Sequence, residues 1–164
     1  MTERRILVTG SRDWSDHWVV SRELVRYISE NANLSTDRHG FPVDWDTQGW
    51  VVVHGHCPTG ADAWADEFAV THLIEVERHQ ADWREYGKRA GFKRNSEMVD
   101  AGADICLAFI NPCTSDRCTA PKPHGSHGTV DTIRKAHALG IPVRIFTEAD
   151  PDTWWVERLR KEFT

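Results

Sequence analysis

A surplus of positive charge is missing from this sequence. Its 20 Lys and Arg stand against 25 Asp and Glu, for a formal net charge of −5 and a pI near 6.0. That disfavours duplex DNA as the main partner, because neutralising phosphates takes a face rich in Lys and Arg, although a local basic patch stays open. Long hydrophobic runs are missing too. No stretch approaches the roughly 18 to 20 apolar residues that span a bilayer, and MTERRILVTG runs directly into a strand-like segment with no signal-peptide apolar core. No membrane partner is expected, and the cytoplasm is the expected location. Cysteine is scarce. Cys57, Cys106, Cys113 and Cys118 are too few and too scattered for a secreted disulfide framework, which leaves reduced thiols or a metal site. Neither GxxxxGK[ST] nor GxGxxG occurs, so a P-loop ATPase and an ordinary NAD dehydrogenase lack their strongest support.

What is present suits one hydrophobic core. With 164 residues, 40% of them hydrophobic, the expectation is a single domain over residues 1–164. Arg5 to Thr9 reads as a strand ending at Gly10-Ser11-Arg12, and Asp16 to about Glu30 as a helix capped by Ser15 or Asp16. Residues 31–48 are polar and aperiodic, a surface excursion outside the sheet. Trp50 to His54 reads as the second strand, followed by a glycine turn from Gly55 to Gly60 and a helix. Leu73 to Val76 reads as a short edge strand, Gly91 to Ala101 as a helix and Ala103 to Ile110 as a buried strand. Residues 111–127 form a loop, Thr129 to Leu139 a helix stopped by Gly140, Ile141 to Phe146 the last strand, and Asp152 to Glu162 the last helix. Apolar strands alternating with helices predict an α/β fold with a mostly parallel sheet covered on both faces.

In such a sheet the turns after the strands gather at the carboxyl edge, where ligands bind. Glycine lets backbone approach a phosphate, and a helix start offers free N–H groups. One glycine turn alone need only close a βα connection. The set as a whole is more specific. Gly10-Ser11-Arg12, Gly55-His56-Cys57-Pro58-Thr59-Gly60-Ala61-Asp62, Arg94-Asn95-Ser96-Glu97-Met98 and Gly128-Thr129, with Asp82-Trp83 and Gly140-Ile141-Pro142-Val143, resemble the SLOG superfamily. That superfamily includes the Lonely Guy phosphoribohydrolases and the DNA-processing protein A family, and the resemblance is strongest to its small YpsA/YspA-like members.

The resemblance implies a single doubly wound Rossmann-like domain of about five parallel strands and a pocket for a nucleotide or nucleotide-derived compound. By position, Gly10, Ser11, Arg12, Gly55, Gly60, Ala61, Asp62, Arg94, Asn95, Gly128 and Thr129 would contact the ligand, with phosphate at Gly128-Thr129. Asp62 has an alternative as a first-turn carboxylate of its own helix. Catalysis in the Lonely Guy pattern would use Arg94 and a Glu after the second glycine motif. Here Thr132 stands where that Glu belongs, and Asp131 lies one residue early, rotated by roughly 100° on a helix. Binding without turnover, by a sensor or sequestering protein, is therefore expected ahead of a phosphoribohydrolase-like enzyme pairing Arg94 with Asp131, Asp62 or Glu97. A single-stranded-DNA accessory role would need exposed stacking tryptophans. Related proteins commonly pair, and eight tryptophans are many to bury, so a homo-oligomer is also expected.

No cofactor is required by this reading, and structural zinc is the candidate. Cys113, Cys118, His124 and His127 are spaced C-x4-C-x5-H-x2-H, an acceptable tetrahedral donor set. The alternatives are a His127 that faces the ligand and an ordinary solvated loop. Of the two histidines beside Gly55, His54 reads as a satisfied strand-end residue.

Overall fold

Successive residues of the central strands enter opposite cores, which is why both faces of the sheet must be covered. On β1 (Arg4–Gly10), Ile6 and Val8 face one apolar cluster and Leu7 the other. On β4 (Ile105–Phe109) the alternation is Ile105, Leu107 and Phe109 against Cys106 and Ala108. The first cluster is closed by α1 (His17–Asn31), through Val20, Leu24 and Ile28, and by α2 (Ala61–Thr71), through Ala65 and Phe68. The second is closed by Met98 and Val99 of α4 (Ala90–Asp100), Ile133 and Ala136 of α5 (His127–Ala138), and Trp155 and Val156 of α6 (Trp154–Phe163). The structure is a computed structural model and describes residues 3–32, 37–38, 46–149 and 153–164.

With β2 (Trp50–His54), β3 (Glu75–Arg78) and β5 (Val143–Phe146), the sheet has five strands in the order β3-β2-β1-β4-β5. All four pairings are parallel, with Ile6 beside Val52 on one side and Ile105 on the other. The chain winds outward from β1 to β3, then returns to β4 on the far side of β1. The reversal in strand order thus opens a crevice at the carboxyl ends of β1 and β4, beside Gly10 and Asn111.

This is the Rossmann-like α/β sheet expected from the sequence, with local differences. β3 begins two residues after the expected Leu73, because Leu73 ends α2 with a left-handed φ of 57°. α5 begins at His127, two residues before Thr129, with Ser126 as its N-cap. A short helix α3 (Trp83–Tyr86) and a 3-10 turn (Gly87–Arg89), too brief for a periodic signal, lead into α4. The helix at Asp16 is capped as expected, its carboxylate accepting from Val19 N–H at 3.1 Å. Much of the 31–48 excursion, and the expected start of the last helix at Asp152, lie outside the described residues. Among the described residues no helix is long and apolar enough to cross a membrane.

Candidate ligand-binding site

A cavity of about 370 Å³ occupies the crevice between β1 and β4. Gly10, Ser11 and Arg12 of the β1 turn line it, with Asp62 of α2, Arg94 and Asn95 of α4, and Gly128 and Thr129 of α5. Those eight residues come from four separate stretches of chain. The sheet order alone gathers them.

The turns after β1 and β2 can pack this closely only because they carry glycines. A Cβ on Gly10 would lie 2.4 Å from the Ala61 methyl and 2.8 Å from Phe109 O, and one on Gly60 would lie 2.2 Å from Ser11 O. Gly60 and Ala61, which the resemblance places at the ligand, seat α2 against the β1 turn and are not among the residues that line this cavity. Gly55 serves Arg94: a Cβ there would stand 2.2 Å from the guanidinium, and the Gly55 carbonyl accepts from Arg94 Nη1. Arg94 also donates to Asn95 Oδ1 at 2.9 Å, which fixes its direction. Gly128, also a lining residue, differs from these three, since a Cβ there would meet nothing within 4 Å.

A chain of hydroxyls sets the start of α5. Asn111 N–H donates to Ser11 Oγ at 2.8 Å, Ser11 lies 2.8 Å from Ser126 Oγ, and Ser126 donates to Thr129 Oγ1 at 2.8 Å. Because the Ser126 proton goes to Thr129, Ser11 is the donor in the middle link. Ser126 therefore makes no side-chain cap, and no acidic residue occupies the first turn of α5. The first turn of α5, His127 to Thr129, lines the cavity, and no side chain caps its N–H groups at the positive end of the helix dipole.

Cations surround this space. Arg12 is exposed, with its guanidinium 5.9 Å from the Trp83 ring centroid, and Lys88 and Arg94 line the same wall. Asp13 and Asp62 are the acids in the lining. Burial pushes the Asp62 carboxyl above its ordinary range, against the opposing pull of His54 and a Cys57 N–H at 3.3 Å, so its negative charge is disfavoured. Burial, with Asp62 adding to it, also raises the Cys57 thiol, so this lining cysteine is not an activated thiolate at neutral pH.

Residues 4–86 match the sequence model of the YspA, cpYpsA-related SLOG family. The chain belongs to that family. The Gene 61 protein of Mycobacterium phage D29 is 40% identical over 146 residues, covering 85% of this chain and 94% of the phage protein. Among solved structures, the molybdenum cofactor carrier protein of Chlamydomonas reinhardtii aligns over 98% of this chain and 87% of its own with a TM-score of 0.53. At 14% identity that likeness is one of fold. The SLOG resemblance carried by the glycine turns is thus borne out, as is the parallel Rossmann-like sheet.

For this SLOG member the three acids weighed as catalytic partners separate cleanly. Asp131 is absent from the cavity lining; its Oδ2 accepts from Asn95 Nδ2 at 3.0 Å and from Lys135 Nζ at 2.7 Å. Glu97 is exposed and paired with Lys93. Asp62 alone of the three lines the cavity. Asn95, buried to 3% exposure, also donates to Gly128 O at 3.2 Å, so its amide joins α4 to α5. Cys113, Cys118, His124 and His127 do come together, with their donor atoms within 4.8 Å of one another.

Sequence reasoning quoted Trp83 only within the Asp82-Trp83 motif, and did not single out Phe92, nor Glu148 and Asn111 beside the cavity. Trp83 and Phe92 line the cavity while 52% and 48% exposed, a position that offers aromatic faces to a flat ring. Their signal was an apolar residue on the polar side of a short helical stretch, visible only once the burial pattern is known. Glu148 and Asn111 form a clamp at the switch point. Glu148 Oε2 accepts from Asn111 Nδ2 at 2.6 Å, while Oε1 accepts from the backbone N–H of Ser15 and Asp16 at 2.9 and 2.7 Å. This ties the start of α1 to the ends of β4 and β5.

His54 is the satisfied strand-end histidine that the sequence suggested. It is fully buried, its Nδ1 accepts from His56 N–H at 3.0 Å, and its Nε2–H therefore donates to Asp66 at 2.9 Å. Burial, only partly offset by Asp62 and Asp66, holds its pKa below the ordinary 6.5. In the folded state the ring stays neutral where the unfolded ring is already protonated. The unfolded state then binds more protons, so this group's contribution to stability is present above pH 6.5 and declines as pH falls below it. Thermal melts of the wild type and His54→Gln are expected to show the wild-type advantage shrinking between pH 7.5 and pH 5. An advantage independent of pH would mean that the folded histidine titrates normally.

Proposed function

We propose that the cavity binds a nucleotide or nucleotide-derived phosphorylated small molecule and holds it without turnover, as a sensor or sequestering protein does. One observation carries this reading: the first turn of α5 at His127–Thr129, which no side chain caps, the Arg12 guanidinium and two half-exposed aromatic rings converge on one space. The first two suit a phosphate, and Trp83 or Phe92 suits a base. The volume, about 370 Å³, falls in the range of small-molecule pockets. A holding role agrees with the description of the Chlamydomonas fold relative as a carrier protein. Self-association belongs to the same reading, supported by the exposed rings of Trp18 and Trp154.

Asp62 favours a second reading, cleavage of the base–ribose 5′-phosphate bond, because burial raises its pKa and so favours the protonated carboxyl that could donate a proton to a departing base. Against it, Asp131, the acid nearest in sequence to the catalytic Glu of the Lonely Guy pattern, is tied to Asn95 and Lys135 outside the cavity and is not placed to steady developing oxocarbenium charge there. Calorimetric titration with a panel of nucleoside mono- and diphosphates, followed by chromatography of the mixtures, separates the readings. Saturable heat without free base is expected. Free base that disappears in Asp62→Asn would establish hydrolysis, and no heat with any phosphorylated nucleoside would remove the nucleotide reading.

A further inference from the structure

We propose that Cys113, Cys118, His124 and His127 form a closed, structural zinc site that pins the 111–127 loop against the mouth of the cavity. Their two sulfurs and two ring nitrogens lie within 4.8 Å of one another. Cys118 Sγ is 3.3 Å from His124 Nε2 and 3.1 Å from His127 Nε2. Around a tetrahedral zinc, with bonds of about 2.3 Å to sulfur and 2.0 to 2.1 Å to nitrogen, sulfur and nitrogen ligands stand about 3.5 Å apart. The two Cys118 spacings need a slight expansion to admit the ion, and the wider separations in the set, up to 4.8 Å, a contraction of about an ångström.

The backbone already orients one of the two imidazoles. His124 Nδ1 lies 2.9 Å from the Gly125 carbonyl, so it carries the proton and leaves the Nε2 lone pair directed at the cluster. Backbone geometry builds the site independently of its side chains. Cys113 N–H donates to His124 O at 2.7 Å beside an antiparallel bridge between Pro112 and Gly125, and a turn closed by Cys118 N–H and Ser115 O at 3.2 Å carries Cys118 back toward that bridge.

Thiolate and imidazole donors select zinc over magnesium or calcium, and four protein ligands leave no position for a reactive water. The ion's work is thus to hold the chain. Binding releases the two thiol protons to solvent, leaving both sulfurs as thiolates. A Cys113–Cys118 disulfide would engage both sulfurs but would give no reason for two imidazoles to converge on Cys118. The loop also supplies Cys113, Thr114, Ser115 and His127 to the cavity wall, and His127 is the first residue of α5. Losing the ion would release that wall and the helix start together.

The test uses the full chain purified under reducing conditions without added metal. Elemental analysis is expected to find one zinc per chain, lost in Cys118→Ser. After chelation, Co²⁺ added to the wild type should give the intense visible bands and thiolate charge transfer of a tetrahedral site, which Cys118→Ser should lack. Because Arg117 is exposed, chelation should also remove protection of the Arg117–Cys118 bond from trypsin, and Zn²⁺ should restore it. The wild-type Co²⁺ spectrum and the trypsin protection decide the matter even if the variant fails to fold. Metal-free native protein with no tetrahedral Co²⁺ spectrum would overturn the proposal, as would a Cys113–Cys118 disulfide in that protein. None of these readouts depends on what the neighbouring cavity binds.

Discussion

Replacing Arg12 with Ala is expected to weaken binding of a nucleoside 5′-phosphate roughly ten- to a hundredfold, while leaving the already weak binding of the matching nucleoside almost unchanged. The guanidinium is exposed beside Trp83 at the mouth of the cavity and forms no part of either core. Its removal should therefore cost affinity and not folding. A charge-assisted contact with phosphate is worth about 1.5 to 3 kcal/mol, which sets the size of the loss. Gly128→Leu should act in the same direction for a different reason. Its side chain would enter space that the backbone now leaves open, and would hold the anion away from the α5 N–H groups. Calorimetric titration of both ligands against wild type and both variants reads the result. Equal losses for nucleotide and nucleoside would show that phosphate is not recognised at this edge of the sheet.

Gly60→Ala should be strongly destabilising, lowering unfolding stability by about 3 kcal/mol or more. Two costs combine. Gly60 has φ 76° and ψ −154°, a conformation nearly closed to residues with a Cβ. The new methyl would also sit 2.2 Å from Ser11 O and 2.8 Å from Arg12 Cα, and both obstacles are backbone that cannot swing aside. The β1 turn and α2 would have to part, taking Arg12 with them. Gly140→Ala is the control, because Gly140 has a similar φ of 75° but its Cβ would meet nothing within 4 Å. It should cost only the backbone strain, about 1 kcal/mol. Urea denaturation of both variants measures the difference, and similar midpoints would show that the two turns are not held in contact as described.

The alternation of apolar strands and amphipathic helices was legible because burial on both faces demands continuous hydrophobic runs such as Trp50–His54 and Ile105–Phe109. The glycine turns were legible as a set because few folds require so many close backbone approaches in that order. Their individual roles were not. Gly10, Gly55, Gly60 and Gly128 look alike in sequence, yet only the last leaves open space, while the others make room for Ala61, Arg94 and the Ser11 carbonyl. What lies opposite a missing side chain is set by strands far apart in the chain.

The sequence by itself determined the parallel α/β class, the family, the hydroxyl- and glycine-bearing turns at the strand ends, and the Cys/His spacing of the 111–127 loop. These are local or periodic properties, written in neighbouring residues. Only the tertiary structure decided that Asp62 and not Asp131 shares the cavity with Arg94, since one helical residue turns Asp131 toward Lys135. It alone placed Trp83 and Phe92 in the cavity wall and Glu148 across the switch point on Asn111, 37 residues away in sequence. The physical reason is common to all three. A side chain's partners depend on which faces the strand order 3-2-1-4-5 brings together, and no local pattern encodes that order.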